Sequence, residues 1–343
     1  SYPGLEAADA PGITAAGETE AAKAGGVRVV GESLPHAAGA LHTTGEARYT
    51  DDVPLPPGML HGWLVRATQA PAIVTAIDAT AARAADGVAA VLFLDDLPTG
   101  GENSIGPIMK DERCFADGKV EHVGQVIGIA VAQTAEQARL AAGMVAVTYG
   151  DAGEPGVYSI ADAIAAKSFY DERNPISTDH LLESGPPVTT ALAEDGLVTV
   201  TGEFKMGGQE HFYLECHTTL CVPTDDGGLD VTSSTQATDK TQKMVARVCG
   251  LPNNRVVARV KRMGGGFGGK ETRSVFAACA CAVASQKLNA PVRLSLRRDV
   301  DMSTSGARHP FVAKYTAAAR RSSPCLTSSS TRTAARSSTC QAR

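Results

Sequence analysis

The sequence lacks several features that would indicate a function directly. Its eight cysteines form no Cys-x-x-Cys pair, so the ligand spacings of structural zinc sites and iron–sulfur clusters are absent. The longest apolar stretch, Val275 to Ser285, is far too short to span a bilayer. The net charge of −5 offers no basic surface to nucleic acid or to an anionic membrane. We therefore expect neither of these partners, and we expect reduced, mostly buried thiols in a cytosolic protein.

The N-terminus also lacks features. It has neither the basic start nor the apolar core of a secretory signal. It does not begin with Met, from which we expect further sequence upstream. The 343 residues are long enough for two domains, and the 43% hydrophobic content is sufficient for a substantial core.

Hydrophobic periodicity and turn residues divide the chain. Residues 60–66 and 126–132 are strand-like, and residues 197–203 and 211–221 are predicted to be further strands. Residues 134–146 read as a helix, since Thr134 is a plausible N-cap with Gln137 three residues on. The predicted segments are a linker (1–29), a mixed strand and helix domain (30–152), a second linker (153–187), a second domain (188–315) and a tail (316–343).

The tail differs in composition from the rest of the chain. Residues 316–343 contain 7 Ser, 6 Ala, 5 Thr and 5 Arg, with no acidic residue and no Val, Ile or aromatic residue. Such a segment cannot bury enough apolar surface to offset its ordering entropy, so it is predicted to be disordered. A change of reading frame or of splicing near Tyr315 is our hypothesis for its origin.

The most informative segment is residues 262–273, Arg-Met-Gly-Gly-Gly-Phe-Gly-Gly-Lys-Glu-Thr-Arg. It follows a β-branched run at 256–260 and precedes a helix-like apolar stretch at 275–288, which predicts a strand, a glycine loop and a helix N-terminus. Such a loop offers backbone N–H donors to an oxyanion. A P-loop is disfavoured because Glu271 replaces the required Ser or Thr, and a dinucleotide fingerprint is disfavoured because 287–295 contain no acid. A flexible glycine turn stays open.

Several motifs together resemble one family. Residues 262–273 look like the signature of the xanthine dehydrogenase family of molybdenum hydroxylases, and residues 208–215, Gly-Gln-Glu-His-Phe-Tyr-Leu-Glu, resemble its first molybdenum-site segment. The resemblance runs from about residue 30 to residue 315. Further motifs in the family's order are Gly45 to Tyr49, Ser234 to Gln236, Lys240 to Gln242 and Gly306 to Phe311. The implied fold is α+β: an a/b hammerhead domain followed by the first part of the molybdopterin-binding domain.

The resemblance implies roles for four residues. Gln209 matches a glutamine that hydrogen-bonds an oxo ligand of molybdenum, and Phe267 and Gly268 match positions whose backbone lies against the metal's ligands. Glu271 matches the glutamate that hydrogen-bonds a purine. Each has a plainer alternative: a solvated amide for Gln209, hydrophobic filler for Phe267, and a carboxylate in the first turn of a helix for Glu271.

A protein-held metal is a further alternative. His211, Glu215 and His217 have even spacing and would share one face of a strand, with residue types that suit zinc. No third nitrogen or sulfur ligand is evident, and the family holds molybdenum through a pterin dithiolene. We therefore predict no protein metal ligand.

The implied function is that of a xanthine dehydrogenase, which hydroxylates purines at a molybdopterin site and passes electrons through [2Fe–2S] clusters and FAD to NAD. The cluster and FAD domains would lie upstream, and the family's catalytic Glu and substrate-clamping Arg beyond residue 315. We expect this chain alone to be inactive, and the full-length protein to be a cytoplasmic or peroxisomal homodimer. Two alternatives stay open: an aldehyde oxidase-like hydroxylase, disfavoured by Glu271, and a non-catalytic product that only associates with intact subunits.

Overall fold

The computed structural model describes residues 35–106, 109–153, 156–169, 190, 192–193, 195–320 and 334–340, the last range by its backbone alone. The predicted linker at 1–29 and residues 170–187 of the second linker lie outside the described residues. Residues 1–48 and 49–343 are separate units. No helix in the described ranges is long and apolar enough to cross a membrane.

Helices and strands are mixed along the chain, as an α+β fold requires. The helices are α1 (Gly39–Thr44), α2 (Thr80–Ala84), α3 (Ala135–Met144), α4 (Ile160–Ala165), α5 (Thr238–Val248), α6 (Ser274–Leu288) and α7 (Arg298–Ser305). The strands are β1 (Leu60–Arg66), β2 (Ala72–Asp78), β3 (Val88–Leu92), β4 (Ser104–Ile105), β5 (Glu112–Arg113), β6 (Lys119–Val120), β7 (Val126–Ala132), β8 (Ala146–Asp151), β9 (Leu197–Met206), β10 (Thr218–Pro223), β11 (Leu229–Ser233), β12 (Val256–Arg259), β13 (Val292–Ser295), β14 (Phe311–Arg320) and β15 (Ala334–Cys340).

A seven-stranded sheet joins distant parts of the chain in the order β12-β11-β10-β13-β1-β7-β3. Its centre is the parallel pair β1–β13, in which Leu60 faces Val292. Strands β1, β7 and β3 come from the predicted first domain, and the other four come from the predicted second domain. The two segments therefore share one sheet, and the predicted boundary near residue 152 does not interrupt it.

Strand β7 is buried at every position, as its continuous apolar sequence predicts. Ile129 and Val131 point into the main core, and Ala130 packs with Ala141 of α3 on the opposite face. Both faces of this strand are therefore covered.

Helix α6 packs on the seven-stranded sheet and carries the glycine loop at its N-terminus. Small side chains allow its close approach, and eleven of its residues are buried: Ser274, Val275, Ala277, Ala278, Cys279, Ala280, Cys281, Ala282, Val283, Ala284 and Ser285. Burial raises the pKa of Cys249 and of Cys279. Buried thiols of this kind are poor nucleophiles, as we expect for structural cysteines.

The predicted N-cap of α3 is confirmed. The Thr134 hydroxyl accepts a hydrogen bond from the backbone N–H of Gln137 at 3.2 Å, which satisfies one of the unpaired donors of the first turn. The helix spans 135–144 within the predicted 134–146.

The second sheet has the order β15-β14-β9 and includes part of the predicted tail. Strand β14 continues to Arg320 and so includes the first five residues of the predicted tail, because each of its residues from Phe311 to Arg320 pairs with β9. Its Ala318 is buried. Backbone pairing places this segment in the sheet although three of its five residues are alanine, which has low strand propensity. Strand β15 pairs with β14, and residues 321–333 and 341–343 lie outside the described residues.

Candidate functional site

The glycine loop, residues 260–273, connects β12 to α6 as the sequence predicts. Three of its residues have positive φ: Gly265 at 96°, Phe267 at 53° and Gly268 at 90°. Residues other than glycine rarely adopt a positive φ. Glycine therefore suits two of these positions, and Phe267 is an exception. The Phe267 ring is 74% exposed, which excludes the alternative that it fills the core of this chain.

Gln236 holds one side of the loop. Its side-chain Oε1 accepts hydrogen bonds from the backbone N–H groups of Gly268 at 3.0 Å and Lys270 at 3.2 Å. Its own backbone N–H donates to the Lys270 carbonyl at 2.9 Å. Within the described residues, the backbone N–H groups of Gly265, Gly266 and Phe267 donate no hydrogen bond. The loop therefore retains unpartnered donors.

A second segment, residues 207–217, packs against the glycine loop. The Glu215 N–H donates to the Gly264 carbonyl at 3.1 Å, and the Gly264 N–H donates to Glu215 Oε2 at 2.8 Å. A Cβ atom at Gly269 would lie 2.7 Å from the His211 ring, so glycine is required by close approach. The structure thus brings the two predicted molybdenum-site segments together.

This segment is not the strand predicted for 211–221, because regular pairing begins only at Thr218. Phe212 has a φ of 47°, and the His217 N–H donates to Asp301 Oδ2 at 2.6 Å. The backbone N–H groups of Glu215 and His217 therefore donate to the glycine loop and to α7 rather than to a neighbouring strand. The shared strand face predicted for His211, Glu215 and His217 was wrong, and no group of potential metal ligands occurs among the described residues.

Gln209 is exposed and forms an isolated bridge with Arg308. The Gln209 N–H donates to the Arg308 carbonyl at 3.1 Å, and the Arg308 N–H donates back at 2.8 Å. Both motifs, 208–215 and 306–311, are therefore joined through their backbones. The Gln209 side chain remains available to a ligand as an exposed neutral amide.

Glu271 is exposed at the end of the glycine loop, and its Oε1 accepts a hydrogen bond from Lys240 Nζ at 2.7 Å. Helix α6 begins at Ser274 with Arg273 as its N-cap, so the alternative of a first-turn carboxylate was wrong. The Glu271 N–H instead donates to the Gly268 carbonyl at 3.3 Å. A carboxylate, a lysine and unpartnered amides therefore lie on one loop and its neighbouring helix.

A buried polar cluster lies behind the loop. The Lys270 side chain is fully buried, with Nζ donating to Glu215 Oε2 at 2.9 Å and lying 4.7 Å from the centre of the Tyr213 ring. The Tyr213 hydroxyl donates to Asp301 Oδ1 at 2.5 Å. Burial lowers the pKa of Lys270. The pKa of Tyr213 is raised, mainly by burial and secondly by the hydrogen bond to Asp301.

His217 belongs to the same cluster. Its side chain is 2% exposed, and burial lowers its pKa to about 4. Neither ring nitrogen has a hydrogen-bond partner among the residues that the structure describes. Other unpartnered buried atoms nearby are His211 Nδ1, Glu215 Oε1 and Arg298 Nη1. Such a concentration of unsatisfied polar atoms is typical of a site that water or a ligand completes.

Sequence reasoning missed the supporting residues. Gln236 lies in a quoted motif but received no role, and its place after a strand was the available signal. Lys270 lies next to Glu271 in the sequence, and nothing in the motif indicated that its side chain would be buried while that of Glu271 is exposed. Asp301 had no signal at all, because its partners lie 84 to 88 residues earlier in the chain.

Two family models match the chain. The aldehyde oxidase and xanthine dehydrogenase a/b hammerhead domain matches residues 44–152, and the molybdopterin cofactor-binding domain matches residues 171–331. Xanthine dehydrogenase 1 of Arabidopsis thaliana is 47% identical over 272 residues, which are 79% of this chain and 19% of that protein. Xanthine dehydrogenase of Oryza sativa subsp. japonica is 44% identical over 271 residues, with the same coverage.

The fold is also found in a solved structure. The aldehyde oxidoreductase from Desulfovibrio gigas has a TM-score of 0.69 and 26% identity, covering 83% of this chain and 32% of that one. The matches thus define the class of the chain: an a/b hammerhead domain followed by a molybdopterin cofactor-binding domain of the molybdenum hydroxylase type. Within that class, the chain belongs to the aldehyde oxidase and xanthine dehydrogenase family. It spans about 19% of the length of the curated relatives that it matches.

Proposed function

We propose that this chain forms part of the substrate and molybdopterin site of a purine-oxidising xanthine dehydrogenase. The observation that carries the proposal is the glycine loop, in which the N–H groups of Gly265, Gly266 and Phe267 have no acceptor among the described residues. The Glu271 carboxylate, four residues after Phe267, is exposed. Backbone amides without side-chain cover stabilise an oxygen that carries partial charge. A neighbouring carboxylate accepts hydrogen bonds from the ring N–H groups of a purine. The relatives at 44–47% identity are named xanthine dehydrogenases.

The residues present suit a molybdopterin cofactor. Gln209 supplies a neutral amide donor, and Phe267 supplies its backbone N–H. Gly268 adds no side chain, and a Cβ there would meet no atom within 4 Å. When bound, the cofactor supplies the two-electron redox chemistry. Glu271 binds and orients the purine, and Lys240 holds that carboxylate in place at 2.7 Å.

The remaining parts of the proposal concern the whole protein. Electrons leave through [2Fe–2S] clusters and FAD to NAD, and the full-length protein is a homodimer with its iron–sulfur, FAD and C-terminal molybdenum domains as partners of this segment. A cytoplasmic or peroxisomal location also stays a prediction. The chain by itself is expected to form no urate from xanthine and to retain little molybdenum, which an absorbance assay and metal analysis of the purified chain measure.

A chimera tests the substrate. Residues 44–315 replace the matching segment of the Arabidopsis thaliana enzyme, and xanthine, hypoxanthine and an aromatic aldehyde are compared as substrates. We expect the chimera to prefer the purines, and Glu271→Ala to lower kcat/KM for xanthine relative to the aldehyde by at least about tenfold, as for a lost hydrogen bond to a charged group.

The control for this experiment is Asp239→Asn, which removes an exposed acid on α5 and should leave the substrate preference unchanged. A chimera that prefers the aldehyde, with no effect of Glu271→Ala on that preference, would instead support the aldehyde oxidase-like alternative.

A further inference from the structure

We propose that Glu215 and Lys270 form a clamp that fixes the shape of the glycine loop, and that both are positioning residues for the site. The role of the loop in holding a cofactor and a purine rests on the proposed function above. The clamp itself is a statement about loop geometry, and it applies whichever ligand the loop binds.

One carboxylate oxygen holds both ends of the glycine run. Glu215 Oε2 accepts a hydrogen bond from the Gly264 N–H at 2.8 Å and another from Lys270 Nζ at 2.9 Å. The Glu215 backbone N–H also donates to the Gly264 carbonyl at 3.1 Å. The first glycine and the residue after the last one are therefore tied to a single side chain.

Lys270 is bonded through each of its polar groups. Its N–H donates to Gln236 Oε1, and its carbonyl accepts from the Ser274 hydroxyl at 3.1 Å. Its side chain runs inward to Glu215, whereas the next residue, Glu271, is exposed. Lys270 thus anchors the point at which the loop turns its carboxylate toward solvent.

The loop between these anchors adopts a conformation that it would not keep by itself. Phe267 has a φ of 53° and lies between Gly265 at 96° and Gly268 at 90°. A non-glycine residue persists in this region only when its surroundings impose it. The clamp and Gln236 are the groups that restrain both sides of this stretch.

The pair is poorly explained as a source of stability alone. The Lys270 and Glu215 side chains are 0% and 12% exposed, and removing two charges from water costs about as much as their attraction returns. An apolar pair of similar volume would stabilise the fold equally well. An apolar pair, however, cannot accept a hydrogen bond from the Gly264 N–H, and so it cannot hold the two ends of the loop.

This difference defines the experiment, made on the purified 343-residue chain. Chemical unfolding and hydrogen exchange are measured for wild type, Lys270→Met, Glu215→Gln and the double variant Glu215→Leu/Lys270→Met. Lys270→Met leaves a buried carboxylate, so its folding equilibrium constant should fall by about a hundredfold or more. The double variant should recover most of this loss. Its amides at Gly268, Lys270 and Glu271 should nevertheless exchange at least about tenfold faster than in wild type, with α6 unchanged.

Glu215→Gln gives a second reading if the apolar variants do not fold, because its amide oxygen still accepts from Gly264 and should keep partial loop protection. The control is Arg259→Met, which removes an exposed ion pair with Asp230 and should leave the loop amides unchanged. The clamp is overturned if the loop amides of a folded double variant exchange at the wild-type rate. If the double variant does not fold, wild-type exchange rates in both single variants, Glu215→Gln and Lys270→Met, overturn it. Since no cofactor is present, this outcome is separate from failure of the purine chimera.

Discussion

His217 predicts a specific loss of stability in mild acid. Its imidazole is buried with both nitrogens unpartnered, and burial lowers its pKa from 6.5 to about 4. The unfolded chain therefore binds a proton at this residue below about pH 6.5, whereas the folded chain binds it only below about pH 4. Between these values the unfolded state carries more protons, so the free energy of unfolding falls as the pH falls.

The magnitude follows from the pKa difference. A gap of about 2.5 (6.5 minus 4) corresponds to roughly 3–4 kcal/mol, at about 1.4 kcal/mol for each pH unit. This stability is fully present above about pH 6.5 and is lost progressively toward pH 4. Neighbouring charges act in both directions, because Asp301 raises the pKa of His217 and Lys270 lowers it, but burial is the largest cause.

The assay is urea unfolding of wild type and His217→Phe between about pH 7.5 and about pH 4.5. Phenylalanine keeps the ring and removes both the titrating group and the two unpartnered nitrogens. We expect wild type to lose about 2–3 kcal/mol more than the variant over this range. The control is His122→Gln at an exposed position, which should follow wild type. Parallel curves for wild type and His217→Phe would refute the argument that burial keeps this imidazole neutral.

Three further predictions concern packing and capping, each measured by chemical unfolding. Gly269→Ala places a Cβ 2.7 Å from the His211 ring and should lower the free energy of unfolding by about 1–3 kcal/mol. Gly143→Ala has no atom within 4 Å of its new Cβ and should stabilise α3 by about 0.5–1 kcal/mol. Equal effects of the two substitutions would contradict the packing argument. Ile129→Ala removes a fully buried side chain and should cost about 2–5 kcal/mol, and a cost under about 1 kcal/mol would show that β7 is not covered on that face. Thr134→Ala should cost about 1 kcal/mol and Thr134→Ser should restore it, unless the N-cap bond is absent in solution.

Local features were predictable because they depend on neighbouring residues. The strands at 60–66 and 126–132 have the predicted bounds. The second is an unbroken apolar run of a length that suits a buried strand. The cap of α3 followed from a threonine and a glutamine three residues apart. The order of strand, glycine loop and helix was also correct, because five glycines in six positions leave the chain few alternatives.

Predictions failed where distant residues compete for the same backbone. Residues 211–217 have strand-like composition, yet Glu215 bonds to Gly264 and His217 bonds to Asp301, so no neighbouring strand pairs with them. The start of the predicted tail failed for the converse reason. Residues 317–319 are alanines, which have low strand propensity, but β9 supplies partners for their backbone.

Periodicity and the glycine run predicted strands, helices and a loop rich in backbone amides, because each depends on residues close in sequence. The α+β class was implied by the resemblance of several motifs to one family. The tertiary structure alone decided how that loop is held. The Glu215–Lys270 pair joins residues 55 positions apart, and the parallel pair β1–β13 joins two segments that the sequence had separated. Contacts of this range depend on how the whole chain closes on itself, which no short pattern of residues records.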